Sequence, residues 1–147
     1  MAKAFSLASW NVEHFKFKRV LDEQAGGAGK ANYIFLGDFN TMGMKYPYNQ
    51  TVEVKWELKK LDRDAEKAGM RRLAKTSEAT WWNGPGSRFP KADLDHVVAS
   101  EHLRFTSFAD AESEVRGWPA LATEQEQADW IRDFSDHGLL FCEVQKA

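Results

Sequence analysis

The sequence predicts an α+β fold, with helices packed on mostly antiparallel sheet. Short apolar runs of strand type are mixed with three stretches of helical spacing, and no regular βαβ repeat organises them. The chain has 147 residues, 43% of them apolar and six of them Trp, which suits the core of one domain spanning 1–147. No internal repeat, low-complexity tract or second domain interrupts it.

The first element is a strand from Ala4 to Val12, in which Phe5, Leu7 and Ser9 alternate with Ser6, Ala8 and Trp10. Phe15 to Gln24 has helical spacing, with Phe17, Val20 and Leu21 on one face and Lys16, Lys18 and Arg19 elsewhere. Residues 25–30 are a glycine-rich loop. A phosphate-binding loop is the alternative there, but Ala31 follows Lys30 and leaves the pattern GxxxxGK[ST] incomplete. Tyr33-Ile34-Phe35-Leu36 is a continuous apolar run, as in a strand buried on both faces. Val54, Leu58, Leu61, Ala65 and Ala68 form a helical stripe closed by Gly69. Lys59, Lys60, Arg63 and Lys67 lie mostly off that stripe, on what reads as a solvated face. Thr80-Trp81-Trp82 is a strand ended by the turn Asn83-Gly84-Pro85-Gly86, and Leu94 to Ala99 is another. Thr123 and Glu126 fit a capping box opening a helix through Phe134, with Ala128, Ile131 and Phe134 inward. Leu139 to Val144 is the last strand.

Composition narrows the function less than the order of elements does. The formal net charge of −2 argues neither for nor against a nucleic-acid partner. Cys142 is the sole cysteine, so no intramolecular disulfide forms, and its neighbours Leu139-Leu140-Phe141 mark it as a small core hydrophobe. No apolar stretch approaches the ~20 residues of a membrane span. The first residues lack the long apolar segment of a secretory signal, so a reducing, cytoplasmic setting is the expectation.

Several polar groups sit at ends of the expected strands. Asp38 and Asn40 follow the apolar run Tyr33–Leu36, and in extended backbone residues two apart face the same side. Gly37 lets the chain approach that spot closely. The alternative is a plain turn, since Gly, Asp and Asn all favour turns. Asp95 lies within an apolar strand, where a carboxylate is costly unless paired. His137, preceded by Asp136, is the expected partner, because a carboxylate orients an imidazole and raises its basicity. His96 points away from Asp95 if the segment is extended, and is left out of the site. His14 and His102 read as surface or edge residues. A cluster of Asp, Asn and His without cysteine suits Mg²⁺ or Mn²⁺ rather than structural zinc.

Ser9-Trp10-Asn11-Val12, Gly37-Asp38-Phe39-Asn40, Leu94-Asp95-His96-Val97 and Ser135-Asp136-His137 together, in this order, resemble the endonuclease/exonuclease/phosphatase superfamily, the metal-dependent phosphodiesterases that include DNase I-like nucleases. The resemblance implies a β-sandwich with flanking helices. It implies that Asn11 is an active-site amide at the metal and phosphate, that Asp38 orients or activates the attacking water and that Asn40 hydrogen-bonds the phosphate. It further implies that Asp95 braces His137, which contacts the scissile phosphate or acts as base, and that Asp136 sits at the metal.

The chain also departs from that family. Only 26 residues separate Asn11 from Asp38, and the stretch with the family's metal-binding glutamate is missing. Glu13, two residues beyond Asn11, is the candidate replacement ligand. The family domain has ~250 residues, a size single β-rich domains reach, so roughly the first-half sheet, beyond strand one, is absent. A single layer would expose its apolar inner face, and the expectation is a truncated sandwich completed by homodimerisation. The implied function is an Mg²⁺- or Mn²⁺-dependent endonuclease acting on DNA, with RNA as a second substrate. Lys16, Lys18 and Arg19 would touch the phosphate backbone. The alternatives are a phosphatase for a small or lipid phosphate, and a non-catalytic remnant that binds metal or a partner.

Overall fold

The computed structural model describes residues 6–9, 32–45 and 50–146. The helix expected from Phe15 to Gln24, the glycine-rich loop after it, and Asn11, Glu13, Lys16, Lys18 and Arg19 all lie outside these residues. The described part is a mixed α+β arrangement that does not close into a barrel.

The central sheet has four strands: β1 (Ser6–Ser9), β2 (Tyr33–Asp38), β5 (Met70–Arg72) and β6 (Asp95–Ser100), in the order β1-β2-β6-β5. β1 runs parallel to β2, with Ser6 opposite Tyr33 and Ser9 opposite Leu36. The β2–β6 and β5–β6 pairings are antiparallel. A hairpin of β3 (Met44–Lys45) and β4 (Gln50–Thr51) leads into helix α1 (Val54–Lys67). The expected stripe is present in its middle, where Leu61 and Ala65 are buried, whereas Val54 at its start is exposed. The helix ends at Gly69, whose φ of 67° is the left-handed conformation that glycine adopts without steric cost.

Strand alternation sorts the side chains of the sheet onto two faces. Tyr33, Phe35, Phe39 and Val98 pack with Leu61, Ala65 and Met70 on the α1 side. Ile34, Leu36, Val97 and Ala99 pack on the other side with Leu73, Leu103, Phe105, Leu140, Cys142 and Val144. That second layer comes from two short strand pairings, together with Leu73 and Leu103. β7 (Arg104–Phe105) pairs with β10 (Val144–Lys146), and β8 (Glu114–Arg116) with β9 (Leu139–Phe141), all antiparallel. The apolar face predicted to lie open is therefore covered within one chain, and Val97 and Ala99 are 0% exposed. An uncovered sheet face is no longer a reason for a dimer.

Three expectations need correction. Thr80–Trp82 is not a ladder strand; Trp81 makes isolated bridges to Ala92 and His137. The last strand is broken at Cys142–Glu143, because its two halves pair with different partners, β8 and β7. The capping box at Thr123 and Glu126 forms as expected, but helix α2 (Glu124–Asp133) stops one residue early. Phe134 leaves helical backbone angles and is 72% exposed, its ring stacked on Trp130 at 4.5 Å. Among the described residues no helix is long and apolar enough to cross a membrane.

His96 occupies the α1 face, opposite to Asp95, as alternation requires. It is fully buried, lies edge-on to Phe39, and has Nε2 2.8 Å from Thr41 Oγ1. Thr41 gives its own proton to the Asp93 carbonyl, so the imidazole is the donor to Thr41. Burial, with help from the Lys75 and Arg72 charges, pushes its pKa down to about 2. The native state keeps this ring neutral while the unfolded chain protonates it near 6.5. Stability is then lost as pH falls below the unfolded value, by up to ~1.4 kcal/mol per pH unit for this group. His96→Gln should flatten that slope in thermal melts between about pH 7 and about pH 5; parallel slopes in the two proteins would disprove it.

Candidate active site

The site starts from one register. In the β2–β6 ladder, Gly37 is opposite His96 and Asp38 is opposite Asp95. Asp38 follows Ile34 and Leu36 in alternation, and Asp95 precedes Val97 and Ala99, so both carboxylates project on the second face. Like charges directly opposite one another on a sheet repel. The structure places an imidazole against them: His137 Nδ1 is 2.8 Å from Asp95 Oδ2. With the carboxylate accepting, Nδ1 carries the proton and Nε2 has the lone pair in the neutral ring. The hydrogen bond to Asp95 raises the His137 pKa against the opposing effect of burial, and the charges of Asp38 and Asp136 add to the rise. Burial raises the Asp38 carboxyl, and the Asp95 and Asp136 charges push the same way, against the amide of Asn40 and the His137 charge.

Asn40 does not continue the strand. Its φ is 51°, and its amide donates to Asp38 Oδ1 at 2.7 Å, so Asp38 closes an Asx turn. The extended-backbone argument for a shared direction of Asp38 and Asn40 is thereby corrected. The turn and the site are one feature, in which the backbone of Asn40 holds the Asp38 carboxylate. Gly37, with φ 134°, supplies the unusual backbone just before it.

Asp136 is held by tryptophans. The Trp81 indole donates to its Oδ2 at 2.9 Å, while its carbonyl accepts from the Trp118 indole and the Trp82 amide, both at 3.0 Å. Thr80, completely buried, takes the other role. Its Oγ1 accepts from the amides of Leu94 at 3.0 Å and Asp95 at 2.9 Å, and its carbonyl accepts from Gly138 at 2.7 Å. Thr80 thus ties β6 to the segment that carries His137. On the far side of Asp95, Lys75 Nζ donates to the Asp95 carbonyl and to the Asp93 carboxylate. Gly138 leaves no room for a side chain, since a Cβ there would lie 2.9 Å from Val115 and 3.0 Å from Pro119. His137 is consequently backed by packed atoms.

The sequence indicated Asp38, Asp95, Asp136 and His137, and the fold brings all four together. It missed Thr80, Lys75, Trp81 and Trp118 as supports. The only signal for Thr80 and Trp81 was the apolar run Thr80-Trp81-Trp82, which reads as a strand and nothing more. His102, set aside as an edge residue, pairs its ring with Asn32 at 2.8 Å and takes no part.

The donors gathered here are oxygens with one imidazole, and no thiol is among them, so they fit Mg²⁺ or Mn²⁺ in kind. Among the described residues, no group of three or more His, Cys, Asp or Glu side chains is arranged to hold a metal ion.

The His137 midpoint, followed by NMR of its ring, should lie above 6.5, and Asp95→Asn should lower it. An unchanged midpoint in that variant would remove the pairing from the argument. The same pairing contributes stability that is full below about pH 6.5 and is lost as pH rises through the raised His137 value. Compared with known proteins, the chain matches no family model, no curated protein and no solved structure.

Proposed function

We propose that this chain is a metal-dependent phosphodiesterase, an endonuclease that hydrolyses DNA, and RNA as a second substrate, in a shortened DNase I-like fold. The observation that carries the reading is the Asp95–His137 pair at 2.8 Å, set beside Asp38 across one ladder rung. Hydrolysis of a phosphodiester needs a group to take the proton of the attacking water and donors for the charge that develops on phosphorus-bound oxygen. Asp38, with its raised pKa, is the proton acceptor. His137, held in one orientation by Asp95, offers Nε2 to the phosphate, as a donor when protonated. Asn40 hydrogen-bonds a phosphate oxygen. Asp136, with Asn11 and Glu13, would hold Mg²⁺ or Mn²⁺. When bound, the ion supplies neutralisation of phosphate charge. Lys16, Lys18 and Arg19 would contact the phosphate backbone.

Supercoiled plasmid should be nicked with Mg²⁺ or Mn²⁺ and left intact in EDTA. His137→Ala and Asp38→Asn should each slow nicking by about 10²-fold or more. A folded wild-type sample that leaves both plasmid and a single-stranded oligonucleotide intact with both metals would end the nuclease reading.

The proposal includes a homodimer. Its support is the exposed apolar side chains of Met42, Val54 and Trp56, near the start of α1. Light scattering at micromolar concentration should give twice the chain mass of 16.8 kDa. The monomer mass would overturn it.

A further inference from the structure

The connection from Trp82 to Ala92 carries an exposed aromatic ring at the rim of the carboxylate cluster. Phe89 is 67% exposed, and its neighbour Arg88 is exposed as well. One ring separates Phe89 from the cluster. Trp81 donates to Asp136 through its indole, and its ring centroid is 6.5 Å from that of Phe89.

The backbone holds Phe89 in this position. Ser87 closes a turn with its amide on the Gly84 carbonyl at 2.9 Å. Its hydroxyl donates to the Phe89 carbonyl at 2.9 Å and accepts from the Phe89 amide at 3.1 Å. Pro90 restricts the backbone of the residue before it, Phe89 itself. Lys91 then anchors the returning chain, with Nζ 4.3 Å above the Trp82 ring and 2.8 Å from Gln127 Oε1. The loop spends its hydrogen bonds on keeping a phenyl ring in water, where an apolar side chain gains nothing unless something covers it.

We propose that Phe89, with Arg88 beside it, is a stacking platform for a base of single-stranded nucleic acid whose phosphate lies at the Asp38–His137 cluster. This deepens the phosphodiesterase reading and rests on it. The cluster carries three carboxylates, Asp38, Asp95 and Asp136, and gives a polyanion little attraction of its own, so a contact that does not depend on charge adds affinity beside it. Stacking on an aromatic face is independent of charge and tolerant of sequence, because every base has a π-face. A ring that protrudes from a loop reaches bases that are unstacked. Duplex bases are already stacked on each other, so the platform selects single strands. Arg88 adds a phosphate contact beside the base.

The test measures binding in EDTA, by fluorescence anisotropy of a labelled oligothymidylate. Phe89→Ala should weaken binding about tenfold, and Phe89→Trp should preserve it. Wild type should bind an abasic strand of the same length as weakly as the alanine variant binds oligothymidylate. A duplex of the same length should also bind more weakly than the single strand. Equal binding by wild type and Phe89→Ala, equal binding of the base-bearing and abasic strands, or tighter binding of duplex would each overturn the platform. Hydrolysis of methyl p-nitrophenyl phosphate, a diester without a base, is followed in parallel with Mg²⁺ or Mn²⁺. Its absence from wild type counts against the phosphodiesterase reading, whereas the anisotropy alone decides the role of Phe89.

Discussion

Two carboxylates placed opposite each other on neighbouring strands are a liability, and much of this molecule is organised around that liability. The Asp38–Asp95 rung puts like charges on one face of the sheet, close to a buried apolar layer. Each is met by a donor from elsewhere in the chain. Asp38 takes the Asn40 amide, and Asp95 takes the His137 ring. Around them, Thr80 and Lys75 fix the backbone of Asp95 from two sides, and the tryptophans fix Asp136. A sheet that needed only stability would have apolar residues at this rung. The charged pair is instead retained and met by positioned donors.

Much of the fold was readable because local pattern and tertiary environment agree. The apolar run Tyr33–Leu36 is a strand with both faces covered, and the helical stripe ending at Gly69 is α1. Alternation alone separated Asp95 from His96, and it did so because β6 is regular and buried throughout. The pairing of Asp95 with His137 followed from the cost of an unpaired buried carboxylate, a rule that holds whatever the fold.

The unread parts are those decided by distant partners or by competing local chemistry. Thr80 and Lys75 matter through contacts to the Asp95 backbone, which leave no periodic trace in the sequence. The strand expected from Leu139 to Val144 is apolar apart from Glu143, yet its halves join different partners, and pattern cannot report a change of partner. Phe134 fits the apolar stripe of α2, but that helix buries none of its residues, so the stripe has no core to face. At Asn40 the Asx turn overrode extension, because the Asp38 carboxylate next to it is the nearer acceptor for its amide. A second layer forms even in a chain of this length, because small strand pairs from its C-terminal part provide one.

The spacing of the contacts along the chain has a consequence for how the protein comes into being. His137 and Asp95 are 42 residues apart, and Trp81 and Asp136 are 55 apart. Such contacts close long loops and form late, after local helices and turns. During synthesis Asp38 and Asp95 both emerge before His137, so their rung has no imidazole until the segment around His137 has docked. In that interval Asp38 has its local donor, the Asn40 amide, but Asp95 has no imidazole. The last strands cover the sheet and deliver His137 with them.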